Sequence, residues 1–186
     1  YYHEHFADDT VIEAEYVVQK AVAGTGWGLE ARRVPSPAER GSWLFDPVIF
    51  EPADLARIRA PRIEHDEAET ARRLAEAVDL FGDILRVRVC GVRHLSYHLM
   101  AQYTAWRGLE QTMVDMFERP AMLHEAMSRL EEGHRQVLRQ YVELNLLDLN
   151  NDSAYNSAGG ISYTDELPAE GYQPGRVRPC DMWASA

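Results

Sequence analysis

Lysine is almost missing from this chain. Of its 19 Lys and Arg residues only Lys20 is a lysine, and together they face 30 Asp and Glu, a formal net charge of −11 over 186 residues. That balance argues against nonspecific nucleic-acid binding, which needs a basic footprint to displace counterions, and leaves an anionic ligand to find a local positive site. Nearly all the positive charge sits on arginine, whose rigid fork suits carboxylate or phosphate, although a GC-rich gene would give the same bias. Cysteine is scarce as well. Cys90 and Cys180 are far apart, with no Cys-x-x-Cys and no His-x-Cys, so neither a disulfide framework nor a self-contained zinc site follows. No apolar run approaches the ~18 residues of a membrane span, and Tyr1-Tyr2-His3-Glu4-His5-Phe6 lacks the basic and apolar regions of a signal peptide. The expectation is a soluble, cytoplasmic protein without membrane or nucleic-acid partners. The chain starts without Met and stops at Ala184-Ser185-Ala186 with no terminating pattern, and it reads as part of something longer.

Hydrophobic residues make up 46% of the chain, enough for a core. From Thr10 to Val22, Ile12, Ala14, Tyr16, Val18 and Val22 fall on alternate positions, the period of a half-buried strand. Gly24-Thr25-Gly26 permits a turn, and Trp27 to Val34 would return as the second strand of a hairpin. Five prolines between residues 35 and 61 make the following stretch loop-rich, with a short helix from Pro52. Residues 1–62 therefore read as a loop-rich N-terminal part, and residues 63–186 as repeated β and α units.

The first long helix spans Asp66 to Phe81. Asp66 caps it, Glu69 has capping-box spacing, Ala71, Leu74, Val78 and Phe81 make one face, and Gly82 ends it. A strand, Leu85 to Cys90, alternates apolar residues with Arg86 and Arg88. Helices follow over 95–106, 109–117 and 121–144, the last with a stripe of Leu123, Met127, Leu130, His134, Val137, Tyr141 and Leu144. Leu146-Leu147-Asp148-Leu149 reads as a short buried strand, and Asp181 to Trp183 as the edge of a third.

This order predicts βα units and a parallel sheet, in which functional residues sit at the carboxyl ends of strands. One end offers Arg93 and His94. His94 reads as a general acid/base or anion contact, or as a hydrogen-bonded helix start; Tyr97 either faces the mouth or packs. The second end offers Asn150, Asn151 and Asp152. Asp152 would be a catalytic carboxylate and the asparagines would orient substrate, unless all three shape a turn. Beyond lies a loop with Gly159-Gly160, Tyr163 and the pair Asp165-Glu166, then Asp181. Arg86 and Arg88 clamp a polyacidic substrate if the strand's apolar face packs on helices, and are solvated otherwise. Neither glycine-rich stretch is a nucleotide fingerprint. His3-Glu4-His5 has no converging ligands.

Five pieces of the chain, Phe81-Gly82-Asp83-Ile84-Leu85, Arg107-Gly108-Leu109-Glu110 with Asp115-Met116 and Arg119-Pro120, Leu146 to Asn151, Gly159-Gly160 through Pro168, and Asp181-Met182-Trp183, resemble the uroporphyrinogen decarboxylase superfamily. The likeness is strongest to members related to cobalamin-dependent methyltransferases. The resemblance implies a (β/α)8 TIM barrel, partial here because such barrels run to ~250 residues. It implies a decarboxylase acting on a carboxylate-bearing molecule such as a tetrapyrrole. It equally implies a methyltransferase using zinc and a corrinoid protein, or a non-catalytic ligand-binding paralogue. Two departures accompany it. The decarboxylases' arginine-rich N-terminal motif has no counterpart between Tyr1 and Trp43, and the methyltransferases' His-x-Cys and distant Cys zinc ligands are missing. Asp83 precedes its strand and would face the barrel's stability side. The expected site is catalytic Asp152 and His94 with substrate contacts from Arg93, Arg86, Arg88, Tyr97, Asn150, Asn151, Tyr163 and Asp181. No cofactor is bound by the chain itself, and a homodimer is open.

Overall fold

The computed structural model describes residues 2–6, 11–153 and 162–184. They form two compact units, each assembled from separated stretches: residues 1–23, 64–96 and 141–185 in the first, and residues 24–63 and 97–140 in the second.

In the first unit β1 (Glu15–Gln19) and β6 (Arg86–Cys90) pair in parallel, with Tyr16 opposite Val87 and Val18 opposite Val89. An isolated parallel bridge joins Val92, just past β6, to Leu147 of a third segment. Side chains alternate across a strand, so one sheet face carries Tyr16, Val18, Val87 and Val89. Helix α2 (Glu67–Phe81) packs on both strands, and the Phe81 ring stacks on Tyr16 at 4.5 Å. Asp66 caps α2 through its side chain, accepting from the Glu69 amide at 2.8 Å. Glu69 itself turns to Arg72 and Arg73, which hold its carboxyl down to about 2. The buried stripe of α2 is Thr70, Leu74, Ala77 and Phe81, displaced by a residue from the apolar spacing at two of its positions, and Val78 is half exposed. Thr70 determines this: its hydroxyl accepts from the Ala21 amide at 2.9 Å and donates to the Asp66 carbonyl. Short strands β2 (Ala21–Gly24) and β5 (Ile63–Asp66) pair with each other at the junctions of the two stretches.

The second unit is a helical layer with a hairpin. β3 (Arg32–Pro35) and β4 (Trp43–Asp46) run antiparallel. The hairpin thus joins different strands from those predicted, because β1 is taken up by β6. Helices α3 (Leu99–Arg107), α4 (Leu109–Glu118) and α5 (Pro120–Glu143) follow, and Gly108 makes the α3–α4 corner with φ 84, a conformation suited to glycine. The core joins Leu29, Val48, Ile49, Leu55 and Ile58 to Tyr103 and Trp106 of α3 and Met122, Ala126 and Leu130 of α5. Helix α4 is inside out. Thr112 and Asp115 are buried while Leu109, Met113, Met116 and Phe117 are exposed. Asp115 is drawn inward by Arg107, which donates to its two oxygens at 2.7 and 2.9 Å.

Helix α5 buries Met122, Ala126, Leu130 and Gly133, a stripe rotated from the expected one. Trp27 explains the rotation, since its ring occupies the space that a Cβ on Gly133 would enter at 2.3 Å. In an exposed helix, Gly→Ala stabilises by about 1 kcal/mol. Here Gly133→Ala is expected to cost about 2 kcal/mol through overpacking, read as a lower urea midpoint at unchanged slope. A gain in stability would show that Trp27 is not seated there.

The (β/α)8 barrel is corrected by these findings. Among the described residues the strands are four or five long and form three two-stranded sheets, and no barrel closes. Closure requires eight strands paired edge to edge with a matched stagger. Here β2 pairs with β5 and β3 with β4 instead of adding to β1 and β6. The expected third strand at Asp181 is a 3₁₀ turn, Pro179–Asp181. No helix among the described residues is long and apolar enough to cross a membrane.

Candidate functional site

The face of β1 and β6 away from α2 carries Glu15, Arg86 and Arg88 together with Val17. Glu15 takes Arg86 on one carboxylate oxygen and Arg88 Nε on the other, at 2.6 Å for the latter. The Glu15 side chain is only 10% exposed, so its charge is committed to the arginines. Arg88 also lies 3.9 Å from carboxylate oxygens of both Asp148 and Asp152. Past the strand end, Arg93 ion-pairs with Asp152 and donates through Nε to the Leu149 carbonyl at 2.9 Å. Asp148 accepts from the Gly91 amide at 3.0 Å and from the Leu149 amide at 2.9 Å, which locks the two strand ends together. Cys90 is fully buried beside this cluster. Burial, reinforced by the Asp148 charge, pushes its thiol up to about 11, so it stays protonated and unreactive.

The cluster thus contains Arg86, Arg88 and Arg93 with Glu15, Asp148 and Asp152, three positive and three negative groups. Arg93 and Asp152 are partly open, with side chains 19% and 23% exposed. A guanidinium beside a carboxylate at a strand's carboxyl end can hold an anionic ligand and pass a proton to or from it.

The other expected site residues have different surroundings. Arg86 is the most exposed of the arginines. His94 is exposed next to Arg93, and none of the cluster's ion pairs involves it. Asn150 is buried and serves the backbone: it donates to the Arg93 and Trp183 carbonyls at 2.8 and 2.9 Å and accepts from the Trp183 amide at 2.9 Å. Asn151 gathers a loop in the same way, binding Thr164 through both its amide and its carbonyl and donating to the Leu167 carbonyl. Tyr163 is half exposed, and the neighbouring Ser162 carbonyl accepts from the Trp183 indole at 2.9 Å. Asp181 is fully buried against Arg178, whose guanidinium holds its carboxyl below the usual range. Tyr97 belongs to the second unit, where its ring stands edge-on to His134 at 5.4 Å. Burial there lowers the His134 pKa. Asp83 is exposed in the turn before β6. Glu4 and His5 are exposed on α1 (Tyr2–His5), a single helical turn. Gly159-Gly160 lies outside the described residues.

Two members of the cluster, Glu15 and Asp148, were not among the expected site residues. Glu15 had a signal in the alternation of β1, where acidic residues occupy the second face. Asp148 had one as the lone charge inside an apolar strand. No protein-family model matches the chain, and neither a curated protein nor a solved structure does.

Proposed function

We propose that the chain is a cytoplasmic, uroporphyrinogen decarboxylase-like enzyme that removes carbon dioxide from a carboxylate-bearing small molecule such as a tetrapyrrole. The observation that supports this reading is the meeting of Arg88, Arg93, Asp148 and Asp152 at the carboxyl ends of neighbouring parallel segments. Ligands of parallel α/β sheets bind at such ends. Arg93 holds a substrate carboxylate, and Asp152 acts as the general acid. Asp152 protonates the pyrrole ring of a tetrapyrrole, so that cleavage of the carbon–carbon bond releases CO2 and its electron pair neutralises the cationic ring; a solvent proton then completes the new methyl group as the ring proton returns to Asp152.

The same resemblance implies methyl transfer with zinc and a corrinoid. Among the described residues no three His, Cys, Asp or Glu side chains converge as a metal site, so zinc has no ligand set there and no step runs through it.

Anaerobic incubation with uroporphyrinogen, with products separated by chromatography, tests the proposal. The wild-type chain is expected to form partly decarboxylated porphyrinogens, and Asp152→Asn to form them about 10²–10⁴-fold more slowly. Binding without turnover identifies a ligand-binding paralogue. Equal turnover by the variant removes Asp152 as the acid.

A further inference from the structure

Helix α4 hides its polar residues and shows its apolar ones. Arg107 holds Asp115 inside at two oxygens, and Thr112 is buried beside it, so the helix cannot roll to bury its other face. Leu109, Met113, Met116 and Phe117 are left outward, at spacings of four, seven and eight that make one stripe. Phe50 is fastened near the carboxyl end of the helix, where Arg107 and Arg119 both donate to its carbonyl, and it too is exposed. All of these residues belong to the second unit. Single exposed apolar side chains are ordinary, but a contiguous row marks an interaction surface. The charges beside the row say what covers it. Glu110 and Glu118 stand on the helix and Glu51 follows Phe50; all three are exposed, and none is in an ion pair among the described residues. Arg119, the cation at this end, is turned to the Phe50 carbonyl. A second copy of the chain would bring the same acids to the same place, and like charges brought together oppose association. A cationic partner is attracted instead. The backbone of α4 is hydrogen-bonded within the helix and offers no edge, so the partner must arrive with its own backbone satisfied, as a helix does.

We infer that the outward face of α4 docks a basic amphipathic helix of a partner polypeptide. The partner's apolar stripe lies on Leu109, Met113, Met116 and Phe117, and its lysines or arginines meet Glu51, Glu110 and Glu118. Two methionines give the surface a soft, adaptable side that accepts apolar residues of different shapes, and Phe117, 88% exposed, is the aromatic anchor. The inference stands apart from the carboxylate site, since no residue of the arginine and aspartate cluster takes part. The face is only ten residues long. Such a helix spans about 15 Å, short of the ~800 Å² per partner of a standard interface, so the complex is weak, with a Kd of tens of micromolar, and sensitive to salt.

The probe is a fluorescently labelled peptide of about 14 residues, ~21 Å of helix, with leucine on one face and lysine on the other. Its control keeps the leucines and replaces every lysine by glutamate. Fluorescence anisotropy with the whole chain is expected to show saturable binding of the lysine peptide and at least about tenfold weaker binding of the glutamate peptide. Phe117→Ser leaves the net charge unchanged and is expected to weaken the lysine peptide at least about tenfold, which general attraction to an acidic protein would not do. Glu110→Gln combined with Glu118→Gln is expected to weaken it about threefold to tenfold at low salt and to flatten its salt dependence. Equal binding by the wild-type, Phe117→Ser and Met113→Gln chains overturns the proposal, as does equal binding of the two peptides or saturable binding of neither. Self-association in sedimentation velocity that Phe117→Ser removes, with no peptide binding, assigns the face to a second copy and overturns it too.

Discussion

Asp115→Ala is expected to lower the stability of the second unit by about 3–5 kcal/mol, the cost of leaving a buried charge without its partner. Arg107 and Asp115 are 4% and 0% exposed. Asp115 receives Arg107 at two oxygens, the Tyr103 hydroxyl at 3.2 Å and the Gln111 amide at 3.1 Å. The remaining Arg107 amine donates to the Ile49 and Phe50 carbonyls, both at 3.0 Å. The Arg107 Nε and second amine and the Tyr103 hydroxyl would be left buried without the carboxylate that accepts from them. Replacing both partners, as Arg107→Met with Asp115→Leu, is expected to cost far less than either single change, since the desolvation penalty vanishes with the pair. Phe117→Ser on the same helix, at a position 88% exposed, is expected to stay within about 0.5 kcal/mol. Urea unfolding of the three variants reads the difference, and equal losses for Asp115→Ala and Phe117→Ser would refute the inverted packing of α4.

The pair also sets an acid limit. Arg107 holds the Asp115 carboxyl below the ordinary aspartate range, so its contribution is complete above about pH 4–5 and is lost as the pH falls through the lowered folded value. The Asp115→Ala variant is expected to lack this part of the acid dependence.

Gly91→Ala is expected to cost about 3 kcal/mol and, with it, carboxylate binding at Arg93. A Cβ at this position would lie 2.1 Å from the Leu146 carbonyl oxygen and 3.0 Å from its carbon, and backbone cannot move aside as a flexible side chain can. The strand ends meet here through Val92 N–H to the Leu146 carbonyl at 2.7 Å and Asp148 N–H to the Val92 carbonyl at 3.0 Å. Separating them breaks the anchor of Arg93 on Leu149 and of Asp148 on Gly91. The observation to make is a fall in melting temperature together with loss of benzene-1,3,5-tricarboxylate binding under conditions where the variant is still folded. Retained binding would mean that Arg93 is positioned without this junction.

Much of the local structure was legible residue by residue. Asp66 caps α2, Gly108 breaks α3 from α4, and the arginines of β6 occupy the face opposite Val87 and Val89. These signals act within a few residues and need no tertiary context. The faces of the helices were less legible. Apolar spacing placed Val78 inside and left Gly133 unmarked, whereas a hydroxyl on Thr70 and the Trp27 ring turned both helices. The inversion of α4 has the same origin, because one buried ion pair outweighs four apolar side chains in choosing the inward face.

The sequence by itself determined the acidic balance, the arginine-rich cationic set, the positions of the long helices and the strand that presents Arg86 and Arg88. Only the tertiary structure decided that Glu15, 73 residues from Arg88, neutralises it, and that Asp152, 59 residues from Arg93, is its partner. It also decided that the strands pair in twos rather than closing a barrel. Caps, turns and alternation are local and written in neighbouring residues. Strand partnership and charge pairing depend on which distant backbone edge and which distant carboxylate arrive at the same place, and a single chain read in order does not record that distance.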